Sequence, residues 1–261
     1  MARFETSGAV LDHSTVGARG PTAVRLHGLT SSRRRDAVLG VDVTRELGDR
    51  RVLAYDARGH GRSTGRPVPD GYRWSALASD LADLLDDVAP GEAVVGAGVS
   101  MGSGTLMHLA VREPERFRAL VLTLPPTAWA TRAAKAGTYE AAARVVETHG
   151  WHRFLGAAQA AHVRAPAALG PDHTTPEVTE RLLPSVYRGA ALSDLPAPVD
   201  IAALQMPVLI QAWVDDVTHP LSTAEQVHSL IRGSELTVAR TPDDTRDWPR
   251  RTALWLDDVV G

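Results

Sequence analysis

Ala93-Val94-Val95-Gly96-Ala97-Gly98-Val99-Ser100-Met101-Gly102-Ser103-Gly104 is the stretch from which the rest of the chain is read. Residues 93 to 99 form an apolar run rich in Val and Gly, the pattern of a strand buried on both faces. Leu106, Leu109 and Ala110 then recur at helical spacing until Pro114 stops them. Between strand and helix stands Gly98-x-Ser100-x-Gly102. Its small residues let a sharp turn pack tightly while the serine is held exposed in a strained backbone, as a nucleophile needs. A glycine-rich packing turn has the same string, so the flanking strand and helix give the motif its weight. A serine hydroxyl is a weak nucleophile until a base takes its proton, and here no histidine follows His228.

Outward from this turn, short apolar runs alternate with helical patterns. That alternation is the signature of an α/β fold, a mainly parallel sheet with helices on both faces. The runs are Thr22 to Leu26, Arg51 to Tyr55, Ala119 to Leu124, Pro207 to Trp213 and Glu235 to Arg240. Helices are expected near Arg35 to Leu47, Ala76 to Val88, Thr223 to Ile231 and Trp248 to Val260. From Thr127 to about Val199 the composition changes to alanine-rich helical patterns (Arg132 to Thr148, Phe154 to Val163, Glu177 to Leu183) without a strand. The expected organisation is a core of residues 1–126 and 200–261, with a helical cap, 127–199, inserted after the sixth core strand.

Composition removes several classes of chemistry. The chain has 261 residues, 44% of them hydrophobic, enough for one large domain or one domain with an insertion. Net charge is −3, and the run Arg33-Arg34-Arg35 is short and followed by Asp36. It reads as a solvated helix start, and no nucleic-acid partner is expected. The absence of cysteine excludes disulfides, thiolate metal sites and a cysteine nucleophile. Lys135 is the only lysine and stands in no Schiff-base or phosphate-loop motif. No stretch approaches the ~18 apolar residues of a membrane span, and Met1 to Glu5 begin no apolar signal core, so a cytoplasmic protein without a membrane partner is expected. No cofactor or metal is expected either, since His149 and His152 lack a third nearby ligand. The expected partner is a small-molecule substrate or ligand.

The serine turn also creates an anion site. The Met101 backbone N–H opens the helix and points toward the place where a tetrahedral oxyanion forms. Leu26-His27-Gly28-Leu29-Thr30 ends another strand at the same sheet edge, making the Leu29 N–H the second donor, with Gly28 permitting close approach and His27 shaping the loop. With the elbow and this loop in place, the chain resembles the α/β-hydrolase fold family of capped serine esterases and lactonases. Tyr55-Asp56-Ala57-Arg58-Gly59-His60-Gly61-Arg62-Ser63 resembles that family's loop after its fourth strand, and is longer and more specific than the elbow. Tyr72-Arg73-Trp74 with Asp80-Leu81-Leu84-Leu85 resembles the helix before the nucleophile strand. The resemblance covers residues 20 to 125 and 205 to 260 and implies an eight-stranded-type sheet. It also implies that Asp216, four residues before Pro220, is the acid, with Asp215 as the neighbouring alternative.

Such a carboxylate orients an imidazole and stabilises its charged form. The family places that imidazole after the next strand, in a Gly-His pair. Here the segment reads Arg240-Thr241-Pro242-Asp243-Asp244-Thr245-Arg246-Asp247-Trp248-Pro249, with three carboxylates and no histidine. His219 is the first substitute, because it lies three residues after Asp216 on the loop expected at the active-site edge. Its alternative is a hydrogen bond within its own loop. His27 and His60 sit where the family uses histidine for loop structure, and His108 reads as packing. His149, His152, His162 and His173 belong to the cap. An aspartate at 243, 244 or 247, with a pKa near ~4, is a feeble base toward serine.

Three functions compete on these residues. The first is a hydrolase of a small ester or lactone with Ser100 as nucleophile, Asp216 as acid and His219 as base. The second is a ligand-binding or regulatory pocket that has lost turnover. The third is a non-hydrolytic cyclisation, elimination or isomerisation. Trp129 and Trp213 are expected to line the substrate site, with Trp213 narrowing it.

Overall fold

A computed structural model describes residues 1–160, 175–214, 216 and 218–261. Its frame is one eight-stranded sheet in the order β1-β2-β4-β3-β5-β6-β7-β8. The strands are β1 (Ala2–Thr6), β2 (Ala9–Val16), β3 (Arg19–Leu26), β4 (Arg50–Tyr55), β5 (Val94–Val99), β6 (Phe117–Thr123), β7 (Val208–Trp213) and β8 (Glu235–Ala239). The β1–β2 and β2–β4 pairs are antiparallel and all others parallel. The helices, in chain order, are α1 (Arg33–Val38), α2 (Trp74–Val88), α3 (Met101–Arg112), α4 (Arg132–Ala160), α5 (Leu183–Ala191), α6 (Pro198–Ile201), α7 (Leu221–Leu230), α8 (Pro242–Arg246) and α9 (Trp248–Val259).

Strand periodicity divides the core between the two sheet faces. Leu120, Leu122, Val208 and Ile210 join Trp74, Leu81, Leu106 and Val227 on one face. Ala119, Val121, Leu209 and Trp213 join Val43, Leu47, Trp248 and Leu256 on the other. The parallel order brings the C-terminal ends of β3, β5, β6 and β7 to one edge, and the loops that carry Gly28, Ser100, Leu124 and Asp216 leave from it.

β1 and β2 stand outside the expected set of strands. β1 is largely exposed, and β2 mixes buried Leu11 with buried Asp12 and His13, a pattern that reads as polar until its partners are known. Asp12 is ion-paired to Arg33, and the Asp12 N–H donates to Ser63 Oγ at 2.8 Å. The helix expected over Arg35 to Leu47 is shorter. It stops at Val38, Gly40 follows with φ 73°, and Val41, Val43 and Leu47 reach the core from turns.

Between β6 and β7 the described residues include the long helix α4 and the shorter α5. α4 bends at Gly150, whose backbone (φ 73°, ψ 177°) leaves the helical region. The pattern expected to be helical over Glu177 to Leu183 instead opens with an extended contact between Val178 and His60, and α5 begins at Leu183 with Pro184 in its first turn. Tyr72, Phe154, Val178, Leu183 and Val186 form a third apolar cluster joining these helices to the core. No helix among the described residues is long and apolar enough to cross a membrane.

Candidate active site

The site is built on a turn that only small residues permit. A Cβ on Gly102 would meet the Leu26 carbonyl oxygen at 2.6 Å, and one on Gly98 would meet Gly102 carbon at 2.5 Å. With helix and strands this close, Ser100 is forced to φ 53° and ψ −110°, a conformation costing about 1–3 kcal/mol for a non-glycine residue. Neighbouring hydrogen bonds hold it there. Ser100 N donates to Thr123 O at 3.0 Å, and Ser103 Oγ donates to Gly98 O at 2.7 Å.

Ser100 Oγ lies 2.8 Å from His219 Nε2, and His219 Nδ1 lies 2.7 Å from Asp216 Oδ2. A carboxylate only accepts, so Nδ1 carries the hydrogen and Nε2 is left to accept from the serine hydroxyl. Asp216 and His219 sit on the loop after β7, where Asp216 Oδ1 accepts from Thr218 N at 2.8 Å and His219 N at 3.0 Å. Burial pushes the Asp216 carboxyl up. The hydrogen bond and charge of His219, with the two backbone N–H groups, outweigh it, and the net shift is down. Side-chain exposure is 9% for Asp216 and 16% for His219, so the pair acts in a poorly solvated place where its electrostatics are strong. Asp215, the alternative acid, lies outside the described residues, as do His162 and His173.

The segments that carry the two expected anion donors flank the serine. Met101 is the first residue of α3, so its N–H has no acceptor within the helix. A methyl on Gly28 would lie 3.7 Å from Ser100 Cβ, which sets the Gly28-Leu29 backbone beside the nucleophile. That loop is held by Asp36. The Asp36 carboxylate accepts from Gly28 N at 3.3 Å and from Ser31 Oγ, and its burial pushes its pKa up to about 6. The reading of Arg33 to Asp36 as a solvated helix start therefore needs correction. Arg34 is exposed, but Arg33 is ion-paired with Asp12 and Asp36 is buried. A signal was present in an acid directly behind three arginines, but its partners lie on other loops.

Among the described residues, the other candidate histidines stand outside this relay. His27 Nε2 accepts from Ala57 N at 2.9 Å and joins the loops after β3 and β4. Its burial lowers its pKa to about 4. His60 is fully buried 5.1 Å from the His27 ring, and burial lowers it to about 3. His108 Nε2 bonds Asp194 O at 2.8 Å, and His149 and His152 are exposed. Of the three carboxylates after β8, Asp244 Oδ2 accepts from the N–H groups of Arg240 and Thr241 at 2.8 Å each, capping α8. Asp243 pairs with Arg246, and Asp247 pairs with Arg250 and Arg251.

Of the two tryptophans expected at the substrate, Trp129 is half-buried. Its N–H donates to Asp194 Oδ1 at 2.9 Å and its Nε1 to Pro196 O at 3.1 Å. Trp213 is buried at the end of β7. Strand alternation turns it to the face of Leu209, where it joins the cluster of Leu124, Ala239 and Trp248, so its indole is mainly a packing group. Among the described residues there is no group of three or more His, Cys, Asp or Glu placed to hold a metal ion.

Residues 24–181 match the alpha/beta hydrolase fold. The chain belongs to that family. This α/β-hydrolase is 30% identical over 201 residues to 3-oxoadipate enol-lactonase 2 of Acinetobacter baylyi, a match covering 72% of this chain and 69% of that protein. It is 36% identical over 113 residues to lipase LipV of Mycobacterium tuberculosis, covering 43% of this chain and 40% of that one. A thermophilic esterase from Thermogutta terrifontis superposes over 100% of both chains with a TM-score of 0.78 at 20% identity. The enol-lactonase from Burkholderia xenovorans LB400 superposes over 99% of this chain and 98% of its own with a TM-score of 0.71 at 20% identity. At these identities the structural likeness is one of fold.

Proposed function

We propose that this α/β-hydrolase cleaves a small ester or lactone through Ser100, with His219 as general base and Asp216 as its orienting acid. The observation that carries the reading is the continuous chain Asp216 Oδ2, His219 Nδ1, His219 Nε2, Ser100 Oγ at 2.7 and 2.8 Å. His219 Nε2 removes the Ser100 proton as Oγ bonds to the acyl carbon, and the oxyanion is received by the Leu29 and Met101 N–H groups. Nε2–H then protonates the departing alkoxide, which in a lactone stays attached as the hydroxyl end of the acyl chain. Water, deprotonated by the same nitrogen, attacks the acyl-enzyme and releases the acid with Ser100 restored. Residues 127–199 are read as a cap over this edge. Family members named as lactonases, lipases and esterases support the substrate class.

The test is a fluorophosphonate probe followed by peptide mapping. Label on Ser100 that is lost in Ser100→Ala and strongly slowed in His219→Ala supports the reading. A folded protein that takes no label and turns over no ester or lactone overturns it.

A further inference from the structure

Thr30 has φ 59°, in the left-handed region. A β-branched side chain is disfavoured there, so the surroundings have to hold the backbone in place. Thr30 is the third residue of the turn Gly28-Leu29-Thr30-Ser31, which closes with Ser31 N donating to Gly28 O at 3.1 Å. The same turn carries the Leu29 N–H read above as an oxyanion donor.

Two carbonyls of this turn are each gripped by two donors. Gly28 O accepts from Ser31 N and, at 2.8 Å, from His27 Nδ1. A trans peptide points its C=O and the following N–H in opposite directions, so fixing Gly28 O sets the Leu29 N–H on the side away from those donors. Thr30 O accepts from Arg35 Nη1 and from Glu177 N, each at 2.8 Å. Arg35 comes from α1, close by in the chain, whereas Glu177 belongs to the extended segment ahead of α5. That segment is anchored on the loop after β4, where Gly61 N donates to Glu177 O at 2.6 Å and Val178 forms an antiparallel bridge with His60. The Leu29 side chain follows the same division. It packs against the core cluster of Trp74 and Leu106 and also against the cluster of Tyr72, Phe154 and Val178.

We propose that Arg35 and Glu177 are positioning residues for the oxyanion site: by clamping the Thr30 carbonyl they hold the strained turn in the shape that presents the Leu29 N–H to the reacting carbonyl. The oxyanion site then depends on the seating of the segment ahead of α5, whose backbone supplies one of the two clamps. The use of the Leu29 N–H rests on the hydrolase reading, while the clamp on the turn is a separate claim. The guanidinium charge strengthens its bond to Thr30 O. The Glu177 N–H adds a second point of attachment from the opposite end of the chain, so a turn that would relax on its own is fixed from two sides.

Separate kcat and KM values for 4-nitrophenyl butyrate test this. A whole oxyanion donor is worth about 10^2–10^3-fold in kcat, and here the donor is displaced instead of removed. Arg35→Met should therefore lower kcat about tenfold with KM within about twofold, and Glu177→Pro, which deletes the N–H on the same carbonyl, should give the same split. Arg35→Lys should recover part of the loss. Adding Thr30→Gly to Arg35→Met should also recover part of it, because glycine takes the left-handed backbone without strain. Unchanged kcat in Arg35→Met and Glu177→Pro, or a loss carried by KM alone, overturns the proposal. If wild type turns over no ester, the hydrolase reading falls and amide exchange, followed by nuclear magnetic resonance, judges the clamp. Arg35→Met should then speed exchange of the Ser31 and Gly61 N–H groups about tenfold and leave that of Leu120 unchanged. Exchange at Ser31 and Gly61 as slow as in wild type overturns it.

Discussion

The loops after β7 and β8 leave neighbouring parallel strands at the same edge of the sheet, yet they have opposite fates. The first holds Asp216 and His219 within reach of Ser100. The second, where the family's histidine is expected, is closed by its own hydrogen bonds into the capped turn of α8, with Asp244 spent on two backbone N–H groups. An imidazole has to meet two conditions, a carboxylate at one nitrogen and the serine at the other. In this structure the loop after β7 meets both.

The largest expected effect tests the first loop. Ser100→Ala or His219→Ala should lower kcat by on the order of 10^4–10^6-fold, measured on an activated ester with folding checked by circular dichroism. A loss under tenfold for His219→Ala would mean another base serves the serine. Asp216→Asn should cost on the order of 10^3–10^4-fold, since it leaves His219 without its anionic partner and with the wrong tautomer favoured. The second loop is tested by transplantation: Asp244→His in the His219→Ala background should restore less than tenfold, because residue 244 is placed to cap α8. Full recovery would show that the loop after β8 still reaches Ser100. Thr241→Ala, which removes the cap hydroxyl, should leave kcat unaltered and lower the thermal midpoint by about 2–4 °C.

A third loop gives the smallest signal. Asp36, which holds the Gly28-Leu29 segment, has its pKa raised to about 6 against an ordinary 3.8. The folded state therefore binds this proton more tightly than the unfolded chain, and the stabilisation it provides is present at low pH and lost as pH rises from about 4 to about 6. Removing the titration should thus favour the variant as pH rises. Urea midpoints of Asp36→Asn and wild type at pH 4.5 and 7.5 should differ by a shift on the order of 1–3 kcal/mol in the variant's favour at the higher pH. Parallel behaviour at the two pH values would contradict it.

How much of this was readable from residues alone depends on the range of the interactions. The serine turn declared itself because its requirements are local: a strand, small residues and a helix within a dozen positions. The loss of the usual histidine was equally plain, and His219 was nameable from its three-residue distance to Asp216. The strand β2 was hidden because Asp12 and His13 look like surface residues until Arg33 and Ser63 arrive from elsewhere in the chain. Asp36 was hidden for the same reason, and the apolar spacing around Val41 to Leu47 marks burial without specifying helix. For Trp213 the sequence carries no sign of its side of the sheet, and its packing with Leu124, Ala239 and Trp248 shows it.

The spacing Asp216-x-x-His219 has a consequence for how this protein can change. Asp216 Oδ1 grips the backbone N–H of His219 while Oδ2 meets its ring, so the geometry between them is set within four residues. Nothing in residues 241–247 takes part. The exposed positions of that turn, Asp243 and Arg246, are thereby open to tagging or replacement without disturbing the relay.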